Sequence, residues 1–403
     1  MWRPPRLVTP LSLGAMCISV LGVSPGLWQL RPEPGALDHA SPELVERLRT
    51  DAFAYFRFIN HPWTARVCEV FADEIRTLPT VRLHGDAHIG QFALTDDAWG
   101  LDDFDDAARG PAVVDIVRML GSIELASRLR GWGGERSMLF DRFFHGYHRG
   151  LSQPGYRPPQ PAIVGVLRRA GSRSREAFLA WGDALMEPLT DDESRVLIAA
   201  VEIFSRLMHR EQPDLAPEYL RVVRAGWLHL GIGSALQRKV LIRLQGPSAD
   251  PSDDELIEAK ELESLGGLTC LEHSPSQPTL RVIAAARYLG RMKHSILAAG
   301  PEFVIPEQFI GPQQLRDWWI RSWDPSYREV QLNDLRSAKD LAEIAFDAGL
   351  QLGGGEFRDE AGSQPADRRQ ALASITRLEK RLRTETVTLV DQLFVDWRRF
   401  AER

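Results

Sequence analysis

Cysteine is scarce in this chain: three in 403 residues, Cys17, Cys68 and Cys270, all far apart. That spacing contains no C-x-x-C metal knuckle and defines no disulfide framework, so buried thiols are the expectation. Clustered positive charge is lacking as well. No lysine or arginine run occurs and the formal net charge is −6, which argues against a broad electrostatic footprint for nucleic acid. Long hydrophobic runs are also missing. The stretch from Leu11 to Val23 is too short for a confident membrane span, so no stable span is expected. It follows Arg3 and Arg6 and precedes Pro25-Gly26, the order of a secretory signal, yet no A-x-A-like cleavage site follows it. Residues 1–36 therefore read as a signal-like or disordered segment, and both a cytoplasmic and an exported protein stay open.

What is present is an ordinary globular composition, 44% hydrophobic and 26% charged, with enough length for two or three lobes and no internal repeat. Ser41, as an N-cap with Glu43 and Glu46 behind it, opens two predicted helices that run to about Leu78. Val67, Phe71, Ile75 and Leu78 recur there at helical spacing. Thr80 to Phe92 alternates apolar and polar residues as a strand does, Thr95-Asp96-Asp97 makes a turn, and Gly100 to Phe104 reads as a second short strand. Val113, Ile116, Val117, Leu120 and Ile123 predict a helix to Arg130. More helices fill the span to Met208 around a proline-rich linker, Pro154 to Pro161.

Tyr219 to Leu244 predicts a hairpin turning at Gly231-Ile232-Gly233-Ser234, and Leu256 to Leu262 a strand that carries Lys260. Leu280 to Met292 reads as a helix and Trp318 to Arg321 as a strand. Asp334 to Arg403 is helical in pattern, with a break at Gly353-Gly354-Gly355. These elements make an α+β protein.

The chemistry-bearing text is His84-Gly85-Asp86-Ala87-His88, followed by Leu101-Asp102-Asp103-Phe104-Asp105-Asp106. Phosphoryl transfer to a hydroxyl needs one carboxylate to orient the acceptor and another to hold the Mg²⁺ that bridges the phosphates. The Gly231-to-Ser234 turn brings backbone N–H groups toward phosphates, and Lys260 supplies a point charge. Taken singly, these features also read as solvated acidic turns, an ordinary hairpin and a surface lysine. A third reading is a zinc or manganese hydrolase, because His84, Asp86 and His88 alternate and would share one face of a strand.

The order H-G-D-x-H, D-F-D, G-P-x-x-x-D, G-x-G-S, K-E resembles the bacterial domain of unknown function 2252 family, regarded as a circularly permuted relative of aminoglycoside and choline kinases. The resemblance runs from about Asp51 to the C-terminus. Phe53 to Arg57 is similar to the family's opening motif, and Gly110-Pro111 through Asp115 and Arg118 to its G-P-x-x-x-D-x-x-R. Arg321 matches the arginine of its aromatic strand, and Asp391-Gln392 through Asp396 its ending.

The resemblance implies a protein-kinase-like, two-lobe fold in circularly permuted order. Residues 37–215 and 331–403 would form a helical lobe with the catalytic and metal loops, and 216–330 a strand-rich, nucleotide-clamping lobe. It implies ATP and Mg²⁺, with Asp86 as catalytic-loop base and Asp103 as metal ligand. Asp105 would be a second ligand, Gln91 would stand where such folds place a ligand asparagine, and Lys260 would meet the phosphates under Gly231, Gly233 and Ser234. His84, Asp115 and Arg321 would be structural supports. The partners would be a nucleotide and a hydroxyl acceptor, small molecule or protein. Ala284 stands where the family shows a glutamate for the lysine, with Glu261 and Glu263 as substitutes, and Gln351 to Gly355 does not reproduce the family's A-x-A-H-A. Those departures keep a catalytically inactive, pseudokinase-type binding module open.

Overall fold

A capping aspartate and two backbone departures divide the first helical stretch more finely than apolar spacing alone suggests. The computed structural model describes residues 30–38, 40–211, 214, 216–232, 237–248, 250–262, 265–272, 278–299, 318–358 and 365–402. The signal-like stretch to Pro25-Gly26, Cys17, Gly233, Ser234 and Glu263 lie outside them. Ser41 caps α1 (Pro42–Thr50), its hydroxyl accepting from the Leu44 N–H at 3.2 Å. Asp51 is extended and caps α2 (Ala52–Phe58) through the amides of Phe53 and Ala54. With α3 (Asn60–Val70) and α4 (Ala72–Ile75), four helices stand where two were expected, because Asp51, Ile59 and Phe71 each leave helical geometry.

Then follow β1 (Thr80–Leu83), β2 (Phe92–Leu94), β3 (Trp99–Leu101) and β4 (Ala108–Pro111). Helices α5 (Val113–Leu129), α6 (Arg136–Ser152), α7 (Ala162–Arg169), α8 (Arg175–Leu185) and α9 (Asp191–Glu211) come next. The predicted hairpin is β5 (Val222–Trp227) with β6 (Lys239–Leu244), and β7 (Glu255–Glu261) carries Lys260. After α10 (Pro278–Tyr288) lie β8 (Leu297–Ala299), β9 (Trp318–Ser322) and β10 (Arg328–Glu329). Helices α11 (Ala338–Gly355) and α12 (Pro365–Ala401) complete the chain.

The fold is thus mixed α+β with antiparallel sheets. Strands β5-β6-β7-β9-β8 form one sheet, β10-β2-β3 a second and β1-β4 a third. Leu197 and Val201 of α9 and Phe178 and Leu179 of α8 pack on the five-stranded sheet, so its apolar cover begins well upstream of residue 216. The main core joins α2, α3, α5, α6, α11 and α12.

The three glycines expected to break the C-terminal helices form instead the last turn of α11. Their neighbourhood explains it. A Cβ on Gly146 would lie 1.9 Å from the Phe346 carbonyl oxygen, and one on Gly353 2.3 Å from that of Tyr147. Backbone contact between α6 and α11 outweighs the poor helix propensity of glycine there.

The cysteine expectation is corrected too. Cys68 of α3 and Cys270 form a disulfide across 202 residues. Only folding brings α3 beside the segment after β7, so no local spacing announced it. Cys68→Ser should lower unfolding free energy by about 2–5 kcal/mol, as removal of a native bridge does. Equal denaturation midpoints for the oxidised and reduced chain would refute this.

Candidate active site

The first acidic loop leaves β1 through Gly85, at φ +83°, where a Cβ would lie 1.8 Å from the Asp106 carbonyl oxygen. Only glycine lets the two acidic loops cross at that distance. Asp115, in the first turn of α5, accepts from the His84 and Gly85 amides at 2.6 and 2.9 Å. Asn60 Nδ2 ties the loops together, donating to the Gly85 carbonyl at 3.0 Å and to Asp106 Oδ2 at 2.9 Å. His84 lies with Nε2 3.0 Å from the Asp102 carbonyl and its ring against Phe104. His84 and Asp115 are both fully buried and sit behind the loop.

Burial pushes the Asp115 carboxyl up to about 6, against the His84 and Gly85 amides that favour its ionised form. Glu356, buried beside it and accepting from the Tyr147 hydroxyl at 2.5 Å, is raised well above the usual carboxylate range, chiefly by burial and then by Asp115. A raised carboxyl binds its proton more tightly in the fold, so its stabilising contribution is full below the unfolded value of 3.8 and is lost as pH rises through about 6. Asp115 thus favours the fold more as pH falls from 7 to 5, whereas His88, lowered to about 4 and kept neutral, favours it less. Asp115→Asn should therefore lower the denaturation midpoint at pH 5 relative to pH 7 by comparison with the parent chain. The same pH dependence of the midpoint in the parent and the Asp115→Asn chain over this window would refute the assignment. Below pH 4 the sign reverses, because Asp86 and Asp103 are held below the usual range and lose their stabilisation there.

Asp86 is 5% exposed. Burial alone would push its carboxyl up; the Arg118 guanidinium and His88 hold it down instead. Arg118 Nε donates to Asp86 Oδ1 at 2.8 Å, and His88 Nε2 lies 3.3 Å from Oδ2. Arg118 in turn donates to the Phe56 carbonyl at 3.0 Å and lies 3.7 Å over the Phe56 ring. Burial is the main reason that His88 is lowered to about 4, which keeps it neutral.

The second loop carries Asp103 at φ +64°, a left-handed conformation rare for a residue with a Cβ. Lys260 Nζ lies 3.5 Å from Asp103 Oδ1 and forms an ion pair with Asp105. Burial opposes the Asp103 charge, but Lys260 and Arg321 hold it ionised. The lysine that the family pattern would pair with a helix glutamate is thus held by the acidic loop itself. Ala284 lies on α10, whose Val282 and Ala285 pack, with Leu289 just beyond it, on Phe104, Leu262 and Trp319. Glu261, one of the two substitutes, is engaged by Arg238 at 3.0 Å. Arg321 joins Asp102 and Glu258, each at 3.2 Å.

Asp86, Gln91, Asp103, Asp105, Gly231, Lys260 and Arg321 all line one cavity of about 240 Å³. Carboxylates outnumber lysines and arginines in that lining by eight to six. Gln91 Oε1 and Asp105 Oδ1 are buried without a hydrogen-bond partner among the described residues. Two acceptor oxygens left in that state fit a cation bound with few protein ligands and several waters, the habit of Mg²⁺. A zinc-like cluster is absent: among the described residues no group of three or more His, Cys, Asp or Glu gathers to hold a metal. His84, Asp86 and His88 turn to Asp102, Arg118 and each other rather than to a common centre.

Several residues in or behind the cavity went unread in the sequence except as letters of the resemblance. Arg118 had a signal, being with Asp115 the only charge in the apolar run Val113 to Leu120. Glu258 shares a strand face with Lys260, and Lys239 pairs directly across from Lys260. Gln351, where the family has A-x-A-H-A, bonds Leu101 N and O and the Leu289 carbonyl, fastening β3 to the end of α10.

Known proteins resemble parts of this chain. Residues 37–165, a stretch that contains both acidic loops, match the family described as "Uncharacterized protein conserved in bacteria (DUF2252)". A glucosamine kinase of Streptacidiphilus jiangxiensis is 33% identical over 78 residues, 17% of this chain and 18% of that protein. The chain therefore spans under a fifth of the curated relative that it matches. No solved structure matches. No helix among the described residues is long and apolar enough to cross a membrane.

Proposed function

We propose that this chain is a kinase-like phosphotransferase that moves a phosphoryl group from Mg²⁺-bound ATP to a hydroxyl, its two halves forming a permuted, kinase-like pair of lobes. The observation that carries the reading is the gathering of Asp86, Asp103, Asp105, Gln91 and Lys260 around one cavity. The partial likeness to a protein named a glucosamine kinase supports it and favours a small-molecule acceptor.

Asp103, Asp105 and Gln91 would hold Mg²⁺, which would supply positive charge to neutralise the transferring phosphate. Lys260 would exchange its carboxylate partners for phosphate oxygens as nucleotide enters, with Gly231, Gly233 and Ser234 covering the phosphates. Arg321 would keep Asp102 and Glu258 in place beneath that charge. The acceptor oxygen forms its bond to the γ-phosphorus as the bond to the β–γ bridging oxygen breaks; ADP leaves and the hydroxyl proton goes to water. Asp86, held ionised by Arg118, is a weak base, so its part is to orient the acceptor hydroxyl rather than to store its proton.

Mg²⁺-ATP should raise the thermal midpoint of the full chain, and ATP without a divalent cation should raise it much less. No shift with either would reject the reading. A second reading is a binding module without turnover, which the ion pair of Lys260 with Asp105 and the alanine at 284 favour. Turnover of γ-labelled ATP, abolished by Asp86→Asn, would eliminate it.

A further inference from the structure

A second cavity, of about 370 Å³, adjoins the first. The two share Arg57 and Ile232 in their walls. Arg47 at the end of α1 and Arg130 just past α5 complete its basic side, and Ile89-Gly90, immediately before Gln91, forms part of its floor. Three guanidinium groups there face one carboxylate, Asp51, whose Oδ1 is occupied in capping α2. The charge balance is the reverse of that in the first cavity.

Arg130 is braced for a ligand. Its Nη2 donates to the Leu335 carbonyl at 2.8 Å and its guanidinium lies 5.3 Å from the Trp132 ring, which fixes the group's position. Its Nε is nonetheless buried without a hydrogen-bond partner among the described residues, and so is Nε of Arg57. A buried guanidinium N–H left unpaired is costly, and an oxyanion is the group that pairs with it, often through two N–H bonds at once. A volume in the range of small-molecule pockets, roughly 300–1,000 Å³, excludes a bare ion as the only occupant that would fill it.

We propose that this cavity is the acceptor subsite and that it selects small hydroxyl compounds carrying a carboxylate or phosphate group. The anionic group sits on Arg47 and Arg130, and Arg57, at the shared wall, joins it to the cavity that contains Asp86. The inference rests on the phosphotransferase reading for the word acceptor; the anion site itself does not depend on that reading.

The test is calorimetric titration of the full chain with inorganic phosphate at low ionic strength, beside the same titration with Mg²⁺-ADP. Arg47→Gln/Arg130→Gln should weaken phosphate at least tenfold and leave Mg²⁺-ADP within about twofold. Because Arg47 is exposed, Arg47→Gln alone keeps the test valid if the double variant misfolds, and severalfold weakening is expected of it. Phosphate binding that is absent in the parent chain, or equal in parent and variant, overturns the subsite. Phosphate binding that follows the variants while Mg²⁺-ADP binds no form of the chain keeps the anion site and rejects the phosphotransferase. In turnover assays glycerate should outperform glucosamine, with the glycerate rate falling in the variant. Glucosamine as the better acceptor, unaffected by the two substitutions, would overturn the selectivity.

Discussion

Asp86→Asn, Asp103→Asn and Lys260→Met each lower turnover of γ-labelled ATP by about 10²–10⁴, the span seen when a positioned catalytic group or a charge-stabilising donor is removed. The three should differ in what else they lose. Lys260 and Asp103 stand opposite one another at 3.5 Å, so removing either also strips the site of phosphate or metal contacts and should abolish the Mg²⁺-ATP shift in thermal midpoint. Asp86 belongs to the other loop and is neutralised by Arg118 rather than by Lys260. Its replacement should leave nucleotide binding nearly intact and reduce the rate alone. A Lys260→Met chain that binds Mg²⁺-ATP as tightly as its parent would sink the assignment.

Arg118→Met should strongly destabilise the fold. Arg118 and Asp86 are both buried, and removing one member of a buried ion pair costs about 3–5 kcal/mol because the other charge is stranded. A second consequence concerns pH. In the parent chain Asp86 stays ionised far below neutrality, so the rate should not depend on its titration between pH 5 and 8. Without the guanidinium, burial dominates and the carboxyl rises, so the variant's rate should fall as pH drops through a new ionisation above 4. Urea denaturation gives the first effect and a pH–rate profile the second. A variant as stable as its parent, with a flat profile, would show that Arg118 does not hold Asp86.

Much of this protein was legible before folding because it rests on contacts that are short in sequence. Apolar spacing announced α5, and the strand-like run Leu256 to Leu262 announced β7, since both follow from the composition of a single element. The site was legible as two acidic loops because glycine at 85 and the carboxylates beside it are local requirements of a crossing turn. Its counter-charges were legible only in part: Lys260 read as a charge for the phosphates, but its pairing with Asp103 and that of Arg118 with Asp86 were not legible. Arg118 reaches Asp86 across 32 residues and Lys260 reaches Asp103 across 157, and neither distance has a periodicity to betray it. The glycines at 353–355 misled for a related reason: read alone they are helix breakers, and only the backbone of α6 beside Gly353 and Gly354, and of Tyr288-Leu289 beside Gly355, turns them into close contacts.

The sequence by itself determined which segments coil or extend, where Gly85 must turn, and which carboxylates stand together at the two loops. These follow from local sterics and from side-chain periodicity. Tertiary structure alone decided which cations hold those carboxylates ionised, that Cys68 meets Cys270, and that Arg47, Arg57 and Arg130 face a common cavity. Each of those outcomes depends on burial and on proximity between distant segments, and a charge acquires its strength, or a thiol its partner, only when water is excluded and the chain has closed around it.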